Sequence, residues 1–301
     1  MLLSDNERKQ FQDDPAKFIE QSIKDYTALS VNNRFLPFPA DRIWDEPLIG
    51  FANGDDPLFK EYKTVIGDFH FTPREVLETY IDSSSFGDKN KLPHISVISF
   101  ILPSAEKTRV SNRQVDAVCS LRWNHTRFHG QEFVARLSRY LVSLIEEMGH
   151  IAVAPDLSRK FELVNSPNGM SSKWSQRHVA YAAGLGTFGL SDGFITSKGI
   201  AIRAGSVVCN LDLPASPRKY TYHYANCLFY SQGTCRKCAE RCPAGAISEK
   251  GHDKRKCETH LNAMREVGIR LGKLEGYVGK AYVGCGFCQT GVPCEDRIPV
   301  K

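Results

Sequence analysis

The run "CRKCAERCP" constrains this chain more than any other stretch. It places Cys235, Cys238 and Cys242 at x2 and x3 spacing and follows the third with Pro243. These are the last three members of the two-cluster iron–sulfur pattern C-x2-C-x2-C-x3-C-P, in which the short loop wraps one cubane and the cysteine before proline reaches a second. Structural zinc also uses C-x2-C, but zinc ribbons pair two such knuckles and do not need the x3-C-P extension. The spacing therefore favours a chain that folds around iron–sulfur clusters.

The remaining cysteines fit that reading. Residues 1–208 hold one cysteine, Cys119, and residues 209–301 hold nine. From Cys227 onward there are eight: Cys227, Cys235, Cys238, Cys242, Cys257, Cys285, Cys288 and Cys294. Eight thiols fill two four-thiolate sites, and "CGFCQTGVPC" reciprocates the first run. Gln232 stands where the first ligand of the pattern belongs. Cys227 is the natural replacement, because a longer loop adds little closure entropy. Cys209 is the competitor, although its strand-like setting suits a buried structural thiol.

A chain of 301 residues accommodates one large domain with an appendage, or two domains. No apolar stretch approaches the length of a membrane-spanning helix. The N-terminus turns charged after three residues, which predicts a cytoplasmic protein with reduced thiols. A net charge of +5 with dispersed basic residues reads as a solvated surface and does not call for nucleic acid.

The body reads as mixed helix and strand. Asp14-Pro15 opens a helix with Phe18, Ile19, Ile23 and Tyr26 on one face. Thr72 and Glu75 form a capping box. "HISVISFILP" (94–103) is a buried strand, 132–148 a core-facing helix ended by Gly149, and 150–155 a further strand. A helix over 175–183 and strands near 193–196 and 202–208 follow. "GLGTFG" (184–189) matches G-x-G-x-x-G, but a helix precedes it and strands follow, the reverse of a dinucleotide site. Its glycines suit a helix terminus and turn, or close approach of a flat cofactor.

At this point the residues carry a resemblance. "WSQRHVAYAAGLGTFGLSDGFITSKGIAIRAGSVV", then "CRKCAERCPAGAI", a cysteine some fifteen residues on, and "GCGFC" resemble the corrinoid iron–sulfur reductases, the group of the epoxyqueuosine reductases and reductive dehalogenases. The N-terminal "DEPLIGFANGDDPLFKEY" is similar to an uncharacterised branch of that group. The resemblance implies an α+β fold: an N-terminal extension (1–92), a nitroreductase-like core for base-off cobalamin (93–215), and a ferredoxin-like module with two [4Fe–4S] clusters (216–301). It implies one cubane on Cys242, Cys257, Cys285 and Cys288. The other takes Cys235, Cys238 and Cys294, with Cys227 as fourth ligand by departure from family spacing. It implies a corrin ring against Gly186, Phe194, Ile195, Thr196 and Gly205, with Cys119 near the cobalt. The 257–284 connection would pass near the cofactor tail. Epoxyqueuosine reductases carry a general-acid aspartate where Ala152 falls here, which argues against a queuosine role, and Asp156 lies four residues on.

The leading proton-donor pair is Arg177-His178, since histidine titrates near neutrality and arginine holds anions. Tyr181 is a phenolic alternative. Lys173 and Trp174 follow a loop able to act as a lid, and His125 and His129 would share a helix face if helical. The expected activity is reduction of a small substrate, with electrons from a ferredoxin- or flavodoxin-type donor crossing two clusters to a corrinoid. The alternative is a corrinoid-free electron-transfer protein that docks to a redox partner.

Overall fold

The computed structural model describes residues 3–35, 38–84, 92–167, 169–270 and 284–300. Its centre is a four-stranded antiparallel sheet in the order Leu48–Asn53, Ser96–Pro103, Ile202–Cys209, Ala152–Val153. Every residue of Ser96–Pro103 is buried. A β-branched, near-continuous apolar run is what a strand covered on both faces requires. Ile98, Phe100 and Leu102 join Val207 beneath the helices Pro15–Leu29 and Leu121–Glu147. Val97 and Val208 point the other way, toward Leu77, Trp174 and Val179 of the helices Pro73–Ser84 and Gln176–Ala182 and the loop before the latter.

Local signals act where the sequence placed them. Asp14 accepts the Lys17 N–H at 3.0 Å and caps its helix. The Thr72–Glu75 box closes reciprocally at 2.8 and 3.3 Å. Two expectations change. The helix predicted over 132–148 begins at Leu121, capped by the Ser120 hydroxyl, and runs through Gly130. A Cβ on Gly130 would lie 2.5 Å from the Trp44 ring, so glycine there serves helix packing and does not end the helix. The strand predicted over 150–155 shortens to Ala152–Val153, because Pro155 opens a 3-10 turn. Gly184, at φ +73°, ends the helix Gln176–Ala182 and leads into the hairpin Gly186–Phe188 / Phe194–Thr196.

The C-terminal part is built differently. Its helices Leu228–Gln232 and Lys237–Glu240 are one turn each, and its strands Ile247–Ser248 and Gly251–His252 have two residues each. Among the described residues of this part, only Lys254–Arg270 is long. It is fastened to the body at Glu295, 2% exposed, whose carboxylate accepts from Arg113 at 2.6–2.9 Å and from the Gly291 N–H. Asn112 donates to the Cys285 carbonyl and Thr290, and Arg241 donates to the Asn112 carbonyl. Residues 271–283, part of the connection expected near a cofactor tail, lie outside the described residues. No described helix is long and apolar enough to cross a membrane.

Candidate functional site

The eight cysteines line two cavities, four and four. Cys242, Cys257, Cys285 and Cys288 face a cavity of about 250 Å³. Cys227, Cys235, Cys238 and Cys294 face a smaller one of about 20 Å³. Local chain direction produces this division. The turn Lys237–Glu240 keeps Cys235 and Cys238 together, and the chain then turns at Cys242-Pro243, which sends Cys242 to the other cavity. In the second motif Cys285 and Cys288 stay together, and Cys294, beyond the turn at Gly291 (φ +69°), crosses to the smaller cavity. Gly286 makes that loop possible: at φ +69° it lies flat on Trp123, where a Cβ would come within 2.0 Å of the ring. Cys209 takes no part. It is buried in the central sheet with its thiol toward the Ser96 carbonyl.

Burial pushes the Cys238 and Cys285 thiols up to about 12, and nearby thiols of the same cavity add to the rise. Cys288 and Cys294 are pushed up in the same way. Cys288 feels Cys238 of the other group as well as its own three neighbours, so the two sets adjoin. Such thiols ionise only against a compensating cation, which is what a metal centre supplies. Among the described residues, no three His, Cys, Asp or Glu side chains converge closely enough to hold one metal ion. The thiols surround space, and a cubane uses them that way, because each thiolate binds a different iron. The donor set fits two such clusters.

The larger cavity has a second wall, of which the sequence singled out Arg177 alone. Arg127, Arg177 and Arg203 line it from the long helix, the helix after Trp174 and the central strand, along with Trp44, Trp123 and His252. Arg177 donates to the Asp192 carbonyl and lies close enough to Cys288 to feel its charge. His252 shares its ring nitrogen with Asp192 at 3.3 Å. Hydrogen bonds to Asp192 and Cys257 raise its pKa to about 9. Arg127, Arg203, Trp44, Trp123 and His252 carry no such signal in the sequence, because only packing between distant segments brings them to one cavity.

The predicted donors are separated. Arg177 reaches the cavity, whereas His178 points into a pocket with Tyr62 and Phe188 and bonds Ser175 at 2.8 Å. Burial, helped by Arg177, lowers His178 to about 3 and keeps it neutral. Tyr181 packs with Ile101, Ala180 and Phe194 and lines neither cavity. Trp174 is buried against Phe59 and His70, and Lys173 pairs with Glu162. His125 and His129 do share a helix face, with ring centroids 4.4 Å apart. Ala152 is buried opposite Cys209. Asp156 has its pKa raised by burial and lines neither cavity.

The positions assigned to a corrin face protein. A Cβ on Gly186 would meet the Ile195 carbonyl at 2.3 Å, and one on Gly205 the Phe100 ring at 2.3 Å. Phe194, Ile195 and Thr196 are at most 1% exposed. None of the five lines the larger cavity, and Ile195 alone reaches the smaller. Cys119 is buried with Trp123, Ala201 and Met264 and packs against Cys285; burial raises its pKa well above the ordinary thiol range. A corrin is therefore not held here by those residues, and no step is derived through one.

No family model matches the chain. Among curated proteins it is 28% identical over 121 residues to an epoxyqueuosine reductase of Bacillus anthracis, and 30% identical over 121 residues to one of Bacillus cereus. Each match covers 40% of this chain and 29% of the relative, so the chain aligns with less than a third of the relatives' length. Among solved structures, a selenomethionine-labelled epoxyqueuosine reductase aligns with 97% of this chain and 70% of its own, at 15% identity and a TM-score of 0.48. A catabolic reductive dehalogenase aligns with 68% of this chain and 26% of its own, at 15% identity and a TM-score of 0.45. Over two fifths of its length the chain is similar to epoxyqueuosine reductases, which are oxidoreductases, in agreement with the corrinoid iron–sulfur reductase motifs it carries.

Proposed function

We propose that the chain is a reductase of the epoxyqueuosine reductase and reductive dehalogenase type, with two [4Fe–4S] clusters in a ferredoxin-like module over 216–301. The observation that carries this reading is the four-and-four division of the thiols between two adjoining cavities. One cluster would be held by Cys227, Cys235, Cys238 and Cys294, and the other by Cys242, Cys257, Cys285 and Cys288. When bound, such centres supply transfer of single electrons. The chain's own residues do the rest. Trp123 and Phe287 wall the larger site against water. His252 donates toward the Cys257 sulfur, and a charge-assisted hydrogen bond to a ligand sulfur stabilises its thiolate. Arg177 sets a positive charge beside Cys288. A small-molecule substrate would meet these groups in the larger cavity, with a ferredoxin- or flavodoxin-type protein as electron donor.

The resemblance also implies cobalamin on a nitroreductase-like core over 93–215. The filled positions at Gly186 and Gly205 favour the second reading, an iron–sulfur electron-transfer protein without a corrin. Protein purified without oxygen after growth with iron and cobalamin tests both. Iron and sulfide for two clusters are expected, with half lost in Cys242→Ser. Zinc in place of iron, or iron for one cluster in the parent chain, would refute the two-cluster reading. Stoichiometric cobalt with corrin absorption bands selects the corrinoid enzyme, and iron without cobalt selects the relay.

A further inference from the structure

Three guanidiniums face one cavity with little to answer them. Arg127, Arg177 and Arg203 all line the 250 Å³ cavity. They are near enough that Arg127 and Arg177 both act on Arg203 through their charges. Arg177 has the Asp192 carbonyl as an acceptor. Asp192 itself is engaged by His252. Arg127 and Arg203 have neither a carboxylate nor a side-chain hydrogen-bond acceptor among the described residues, although other cavity-distant arginines, such as Arg113 and Arg122, are paired. Arg203 sits on the central strand, where its backbone pairs with Leu102.

Arg127 and Arg203 are half-buried and Arg177 is exposed, so water screens them in part, but three like charges around one cavity still repel one another and favour a counter-anion between them. The cluster on Cys242, Cys257, Cys285 and Cys288 would be one source. A tetrathiolate cubane in its oxidised form is a dianion, which answers two guanidiniums and leaves the third. Two aromatic walls, Trp44 and Trp123, close the remaining space. Planar guanidinium forks suit the oxygens of phosphate better than a point charge does.

We propose that Arg127, Arg177 and Arg203 form an oxyanion site that takes a phosphate group of the molecule acted on beside the second cluster. The phosphate belongs to the small-molecule substrate. This deepens the reading of the same cavity given above, but phosphate binding is measurable whether or not that reading holds.

The test uses anaerobically purified protein with its full iron content, titrated calorimetrically with inorganic phosphate at low ionic strength. Saturable binding of one phosphate per chain is expected. Arg203→Gln and Arg127→Gln should each weaken it about ten-fold or more, the effect of losing a charged hydrogen bond. Arg203→Lys should recover part of it, and Arg297→Gln, at an exposed pair with Asp296, should leave it unchanged. Iron content and circular dichroism of each variant exclude misfolding, and Arg127→Gln carries the test should Arg203→Gln fail to fold. Absence of saturable phosphate binding, binding of malonate in its place, or wild-type affinity in both glutamine variants would overturn the proposal.

Discussion

The body and the cysteine-bearing part hold themselves together by different means. In the body, the strand Ser96–Pro103 is buried along its whole length, and Phe133, Val134, Leu137, Leu141 and Leu144 of one helix are fully covered. Beyond residue 216, the buried apolar side chains are few: Cys227, Ala246, Ile247, Met264, Phe287 and Val292 among the described residues. Two-residue strands and one-turn helices cannot repay the entropy of their own ordering. The first region is a hydrophobic core that any medium preserving burial will keep. The second resembles small metal-bound domains, in which ligand bonds replace a core. Where a chain cannot bury enough apolar surface, thiol placement becomes the fold.

That contrast can be broken in order of expected effect. Removing iron with a chelator under reducing conditions should unfold the region beyond residue 216 and leave the body intact. Limited proteolysis should then cut after residue 216 and spare 93–208; uniform protection of both would erase the distinction. Phe133→Ala should act the opposite way. It should lower unfolding free energy by about 3–5 kcal/mol in denaturant titration, with iron content per folded chain unchanged. Glu295→Ala attacks the joint between the regions. It takes the bidentate partner from Arg113 and the acceptor from the Gly291 N–H, for about 1.5–3 kcal/mol, toward the lower end because Arg113 is 42% exposed. Its signature would be early release of the C-terminal region, visible by hydrogen exchange.

Acid should weaken the body through its histidines. His178 is lowered to about 3, and His70 and His125 to about 4, in each case chiefly by burial. A depressed histidine is neutral in the folded chain and takes a proton more readily when unfolded. Stability is therefore complete above about pH 6.5 and declines as pH falls toward those lowered values. Denaturation midpoints at pH 7 and pH 5 should differ less in His70→Asn than in the parent chain; an equal difference would remove His70 from this account. The smallest effect is expected at Ser120→Ala, about 1 kcal/mol from loss of the cap on the long helix, read as a shift in thermal midpoint.

The particular residues show what could be read early. Caps at Asp14 and Thr72, the buried strand at 96–103 and the turn at Gly184 are local events, decided within a few residues, and the sequence displays them. The start of the long helix was hidden because Gly130 looks like a terminator until Trp44, 86 positions away, is seen to need the space. Gly186 and Gly205 carried the opposite ambiguity. A glycine that admits a cofactor and one that admits a carbonyl or a phenyl ring are written alike, and here Ile195 and Phe100 occupy the space.

Alone, the order of residues determined that this chain carries eight closely spaced thiols and a buried mixed-structure body, because thiol spacing and hydrophobic period are properties of neighbouring positions. Tertiary structure decided that the two sets of thiols adjoin, that His178 turns away while Arg177 turns in, and that Arg127 and Arg203 join it there. Those outcomes depend on contacts between segments far apart along the chain, such as Arg127 and Cys285, 158 positions apart, which come within reach of one another only when the sheet and helices have packed.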